Sequence, residues 1–137
     1  MRHIIIDASG QILGRLATFA AKKALLGYKV DIVNCDEAVI SGTKEIVQSK
    51  FLRKIKLGVP LKGPYYPRQS DRIVRRTVRG MLPYKKAKGI DAYKRVMCYR
   101  ATPDGLKGKT IKVADADSQK LVKKVRLADI CKLIGGK

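Results

Sequence analysis

Residues 4–33 read Ile4-Ile5-Ile6-Asp7-Ala8-Ser9-Gly10-Gln11-Ile12-Leu13-Gly14-Arg15-Leu16-Ala17-Thr18-Phe19-Ala20-Ala21-Lys22-Lys23-Ala24-Leu25-Leu26-Gly27-Tyr28-Lys29-Val30-Asp31-Ile32-Val33. The opening β-branched run, ended by Asp7 and the loop Ala8-Ser9-Gly10, has the form of a buried strand feeding a turn. Leu13, Leu16, Ala17, Ala20 and Ala24 then recur at helical spacing, and Gly27 falls where a left-handed residue closes a helix. Lys29 to Asn34 alternates like a strand. Strand, helix, strand implies a right-handed parallel crossover, and the α/β fold class rests on it.

Downstream, Ala38-Val39-Ile40 reads as a short strand before the turn Ser41-Gly42-Thr43, which caps a helix from Lys44 to about Leu57. Val47, Phe51, Leu52 and Ile55 form that helix's core face, while Lys50, Arg53, Lys54 and Lys56 spread over the rest. Gly58 to Gln69 holds Pro60, Pro64, Pro67, Gly63, Lys62, Arg68 and the adjacent Tyr65 and Tyr66, a composition that favours extended, polyproline-like chain. A helix follows, with Ser70 as its expected N-cap, Asp71 at the positive end of its dipole and Pro83 as its stop. Tyr84 to Gly89 is a basic turn carrying Lys85, Lys86 and Lys88. Ile90 to Lys94 continues as a short helix, and Arg95 to Arg100 as a strand. Thr102-Pro103-Asp104-Gly105 and Lys107-Gly108-Lys109 are turn chemistry, and Leu121 to Leu133 has the apolar spacing of a terminal helix. There are no internal repeats.

At 137 residues the chain has the length of one domain, 1–137. Its formal charge of +20 comes from 31 Lys and Arg against 11 Asp and Glu, unevenly spread. Residues 1–43 carry 5 basic and 4 acidic residues, 44–100 carry 17 and 3, and 101–137 carry 9 and 4. The segment 44–100, at a net +14, is the charged module. Self-repulsion at that density destabilises a compact state unless counter-charge arrives, and nucleic acid supplies it. No stretch approaches the roughly 20 apolar residues of a spanning helix, and the N-terminal apolar run is too short for a signal peptide, so the expected location is soluble and intracellular. Cys35, Cys98 and Cys131 are dispersed and odd in number, which reads as reduced, partly buried thiols. With His3 the only histidine, there is little from which to build a zinc site, and no metal is expected.

Within the basic module, Arg72, Arg75, Arg76 and Arg79 stand at i, i+3, i+4 and i+7. On a helix turning about 100° per residue they share one stripe, with Ile73, Val74, Thr77, Val78 and Met81 opposite. Like charges at this spacing repel by roughly 0.2–0.5 kcal/mol per pair, and no Glu relieves them. The stripe therefore suits an external polyanion, and the guanidinium fork suits phosphate oxygens. Phosphate contacts supply affinity, and Tyr65 and Tyr66 offer faces for exposed bases or serve as core or hinge tyrosines. A zinc finger and a heptad zipper are both missing, and arginine on every turn of one stripe reads backbone, whereas major-groove readout mixes in Asn, Gln or Ser. RNA is favoured over duplex DNA; a nucleoid-type DNA binder is the alternative.

A nucleotide-dependent enzyme is the other rival, because Gly10 and Gly14 lie in a strand-turn-helix with Asp36 and Glu37 about twenty residues on. The dinucleotide fingerprint needs three glycines, however, and here Gln11 and Ile12 occupy the space between two. Ser41-Gly42-Thr43-Lys44 has the wrong order for a phosphate loop, and its job is capping the next helix. Asp7, Asp31 and Asp36 read as strand terminators rather than a catalytic pair, so no enzyme, cofactor or small-molecule substrate is expected.

The strings Gly14-Arg15-Leu16-Ala17, Ala21-Lys22, Ile40-Ser41-Gly42, Phe51-Leu52-Arg53-Lys54, Gly63-Pro64-Tyr65, Arg72-Ile73 and Arg76-Thr77-Val78-Arg79-Gly80-Met81-Leu82-Pro83 together closely resemble the universal large-subunit ribosomal protein L-thirteen family over roughly residues 4–100. The resemblance implies a three-layer α/β/α domain around a small, mostly parallel sheet, no enzymatic activity, and a structural role holding large-subunit ribosomal RNA beside neighbouring ribosomal proteins in the cytoplasm. It implies that Arg53, Lys54, Arg72, Arg76 and Arg79 lie against RNA, with Gly80 to Pro83 as a turn beyond the striped helix. The motifs are of archaeal or eukaryotic type. The short tail beyond Gly108 departs from the long eukaryotic helical extension, so an archaeal-type member is expected.

Overall fold

Strand β1 (His3–Asp7) is the inner strand from which the sheet is built. In a computed structural model that describes residues 2–106, 108 and 110–136, it pairs in parallel with β2 (Lys29–Val33), from His3 opposite Lys29 to Asp7 opposite Val33. Helix α1 (Leu13–Leu25) makes the crossover between them. Leu13, Leu16, Ala17, Ala20 and Ala24 are all buried, as their spacing requires, and Gly27 ends the turn at φ +97°. Consecutive residues Val30 to Val33 are buried in β2, which means that both faces of the sheet are covered, as a layered α/β arrangement demands.

β3 (Val39–Ser41) stays out of this sheet. Thr43 caps α2 (Lys44–Lys56), its hydroxyl accepting from the Ile46 amide at 3.4 Å, and α2 buries Val47 and Phe51. α3 (Ser70–Gly80) buries Ile73, Val74 and Val78 and packs on α1. α4 (Ala87–Lys94) leads into β4 (Val96–Cys98), which extends the sheet in parallel beyond β2. β5 (Thr110–Ile111) joins the other side of β1, giving the all-parallel order β4-β2-β1-β5. β6 (Lys124–Arg126) pairs antiparallel with β3 and runs into α5 (Leu127–Leu133). Buried residues from Ile6 to Ile134 form one continuous cluster.

Several sequence expectations need correcting. Gln69, not Ser70, is the N-cap of α3; the Ser70 hydroxyl is buried and donates to Asp36 Oδ1 at 2.5 Å. Met81 lies beyond the helix, 42% exposed, and its sulfur accepts from the Thr18 hydroxyl at 3.4 Å. The expected terminal helix 121–133 is helical only from Leu127, because Lys124 to Arg126 are drawn into the ladder with β3. Gly89 is not a turn residue but sits inside α4, where a Cβ would fall 1.9 Å from the Pro83 carbonyl oxygen. Of the turn expected at 107–109, Lys107 and Lys109 lie outside the described residues.

The three aspartates do separate jobs. Asp7 closes β1 and accepts from Ser9 N and Asn34 Nδ2, each at 3.0 Å. Asp31 does not terminate its strand: it is buried in mid-β2 and meets His3 Nε2 at 2.5 Å. Asp36 receives Ser70 and, at 3.4 Å, Arg100. Cys35, Cys98 and Cys131 are free and buried.

Candidate nucleic-acid interface

The basic module folds around Tyr66. Its ring stands edge-on to Phe51 of α2, with centroids 6.1 Å apart and planes at 69°, and it carries Lys54 Nζ of α2 and the Arg76 guanidinium of α3 at 5.1 Å each. A half-buried ring thus spaces two cationic helices that would otherwise repel. Lys54 still feels the crowding: burial first, then Lys50 and Arg76, lower its pKa. Burial also raises that of the Tyr66 phenol.

The chain between α2 and α3 is extended only in part. Gly58 and Gly63 take φ of +78° and +79°, and a Cβ on Gly58 would lie 1.7 Å from the Gly63 carbonyl oxygen. The two glycines therefore close residues 58–63 into a knuckle, bridged between Val59 and Gly63. Leu61, 94% exposed, and Lys62 are displayed on it. Tyr65 is exposed and donates its hydroxyl to the Pro60 carbonyl at 2.6 Å. The prolines alone predict an extended segment; the reversal needs both glycines in contact, which composition does not show.

Along α3 the four arginines divide. Arg75 turns inward, its Nε donating to Val96 O at 2.9 Å, a terminal nitrogen to Tyr93 O at 3.3 Å, and its guanidinium 4.1 Å from the Tyr93 centroid. Arg79 lies 5.0 Å from the Tyr84 centroid, with its Nε buried and unpartnered among the described residues. Arg72 and Arg76 are exposed. No carboxylate stands within ion-pair distance of any of the four among the described residues.

Three concave regions run together here. One, of about 310 Å³, lies between α2 and α3 and is lined by Lys54, Leu57, Pro64, Tyr66, Arg76, Thr77 and Gly80. A second, of about 670 Å³, is lined by Tyr65 to Gln69, Arg72, Gly135 and Gly136. A third, of about 280 Å³, is lined by Pro67, Arg72, Arg75, Arg76, Arg79 and Tyr93. Shared walls at Tyr66, Arg76, Pro67 and Arg72 make them one track. The structure thus gathers Lys54, Tyr65, Tyr66, Arg68, Arg72, Arg75, Arg76 and Arg79. Lys50, Arg53, Lys56, Lys62, Lys85, Lys86 and Lys88 are exposed but line none of the three regions. Lys86 is the N-cap of α4, whose first turn holds no acid, so Lys86 and Lys88 put positive charge at the positive end of a helix. Tyr93, Gly135 and Gly136 also belong to this surface, and their local sequence does not mark them as part of it. Gly136 has a backbone reason to be glycine: a Cβ there would fall 1.9 Å from the Arg68 carbonyl oxygen.

The glycine loop after β1 has no room for a pyrophosphate cradle. Its amides are spent inside the protein, Gly10 on Glu37 O at 3.1 Å, Gln11 on Ala8 O at 3.0 Å and Ile12 on Ala116 O at 2.6 Å. No group of three or more His, Cys, Asp or Glu fit to hold a metal occurs among the described residues, and no helix among them is long and apolar enough to cross a membrane.

Comparison with known proteins identifies the family. The family profile described as Ribosomal protein L13 matches residues 1–104. The large ribosomal subunit protein uL13 of Archaeoglobus fulgidus is 43% identical over 135 residues, covering 96% of this chain and 86% of its own. The uL13 proteins of Methanosarcina barkeri (43% over 137 residues, 97% and 98% covered) and Thermoplasma acidophilum (42% over 133 residues, 96% and 98% covered) are similarly close. On these grounds the chain belongs to the L13 family of ribosomal proteins.

Proposed function

We propose that this chain is a structural, non-enzymatic constituent of the large ribosomal subunit in the cytoplasm, where it holds large-subunit ribosomal RNA against the track formed by α2, the knuckle and α3, beside neighbouring ribosomal proteins. The observation that carries the reading is that the cations of this face are positioned by rings and carbonyls, not by carboxylates. Lys54, Arg76 and Arg79 rest on tyrosines and keep their charge uncancelled. Oriented, unneutralised guanidinium groups suit a phosphate backbone. Arg72, Arg76 and Arg79 are the principal phosphate contacts, Lys50, Arg53, Lys54, Lys56, Lys62, Arg68, Lys85, Lys86 and Lys88 extend the field, and Arg75 sets the position of α3 against α4 and β4. Placement within the segment 44–100 leaves residues 1–43 as scaffold.

The test is sedimentation of a lysate through sucrose gradients at low and then high salt. Migration with the large subunit until salt is high is expected; a slowly sedimenting free protein at low salt would overturn the proposal. In vitro, Arg72, Arg76 and Arg79 changed together to Gln should reduce the salt slope of RNA binding by about 2–3 units, each phosphate contact contributing about 0.7–0.9.

A further inference from the structure

The cavity between α2 and α3 is more than a patch of charge. Its walls are apolar where Leu57, itself 50% exposed, Pro64 and the Tyr66 ring meet, and cationic where Lys54 and Arg76 approach that ring. A phosphate alone has no use for the apolar walls, and an apolar side chain has no use for two cations. A nucleotide matches both halves, with a flat base for the walls and a phosphate for the rim. At about 310 Å³ the space lies at the small end of ligand pockets, about 300–1,000 Å³, which suits one base and not a stacked run.

Resting on the RNA-binding reading above, we propose that this cavity receives a single unstacked nucleobase of the bound RNA, lodged against Leu57, Pro64 and Tyr66 with its phosphate toward Lys54 and Arg76. The crowding of Lys54 by Lys50 and Arg76 is relieved when that phosphate arrives. Gly80 is part of the cavity lining. A Cβ built there meets nothing within 4 Å, so a larger side chain has open space in which to start and is expected to narrow the cavity.

The experiment titrates the full chain with a short oligouridylate and with the same sugar-phosphate backbone lacking its bases, across a range of salt. The baseless strand is expected to bind about tenfold more weakly with an unchanged salt slope, in keeping with the value of stacking one base. Gly80→Phe should bring the two strands to equal affinity, and so should Leu57→Ser, which removes a wall without adding bulk. Equal affinities in the unaltered protein would overturn the inference. Discrimination that survives both substitutions would also overturn it and assign base stacking to the exposed Tyr65. If neither strand binds in a salt-dependent way, the RNA-binding reading itself falls; loss of discrimination alone leaves that reading intact.

Discussion

The guanidinium of Arg75 stacks 4.1 Å from the centroid of Tyr93 while its Nε donates to the carbonyl of Val96 at 2.9 Å, so a residue on the arginine stripe is tied to the joint between α4 and β4. Arg72 and Arg76, exposed on the same helix, are left to act outward.

Arg75→Gln should therefore lower stability by about 1–3 kcal/mol, the cost of stranding buried carbonyls, and leave the RNA salt slope nearly unchanged. Arg72→Gln, at an exposed position, should leave stability within about 0.5 kcal/mol and reduce the slope by about one unit. Urea midpoints and salt titrations of the two variants separate these roles; the opposite pattern would make Arg75 a phosphate contact.

Tyr66 acts as a spacer between α2 and α3 through its ring, and its hydroxyl makes no hydrogen bond among the described residues. Tyr66→Phe should melt within a degree or two of the unaltered protein and bind RNA as well. Tyr66→Ala, which removes the half-buried ring from between two cations, should cost about 2 kcal/mol or more and weaken RNA binding as the helices lose their mutual placement.

Three glycines should respond differently to alanine. Gly89→Ala and Gly136→Ala each set a Cβ 1.9 Å from a backbone oxygen, that of Pro83 or Arg68, and should destabilise by about 1–3 kcal/mol or more. Gly80→Ala, with open space around it at the end of a helix, should stabilise by up to about 1 kcal/mol. Denaturant midpoints rank the three.

The thiols should make the protein sensitive to alkali. Cys131 is pushed up from 9.0 to about 11, chiefly by burial and then by the negative charge of Asp36. Cys35 is raised well above 9.0 by its hydrogen bond with Cys98 and by burial. The folded chain holds these protons more tightly than the unfolded one, so the stabilisation is complete below about pH 9 and is lost as pH climbs toward 11. Stability measured from pH 8 to 11 should fall over that window, and Cys131→Ala should flatten the decline. At pH 8, labelling of all three buried thiols should follow unfolding rather than direct attack.

What could be read from the sequence was what neighbours along the chain determine. The helical spacing of Leu13, Leu16, Ala17, Ala20 and Ala24 and the strands around it carry their own periodicity, and the structure reproduces them. The arginine stripe was legible as a stripe, but the inward turn of Arg75 depends on Tyr93 and Val96, about twenty residues away. Lys124 to Arg126 had a spacing compatible with a helix and became a strand because β3 offered a free edge. Gly89 looked like turn punctuation, since nothing local announces that a helix will lie against the Pro83 carbonyl.

The position of β5 has a consequence for how the chain is made. β1 is synthesised well before its second partner, Thr110–Ile111, and Leu127, Ile130 and Cys131 of the shared core come later still. Until then one side of β1 is a bare edge and the basic module has already been translated, a nascent state exposed both to strand addition and to stray polyanions. Synthesis of β5 and α5 is thus the step that turns an adhesive intermediate into a closed fold.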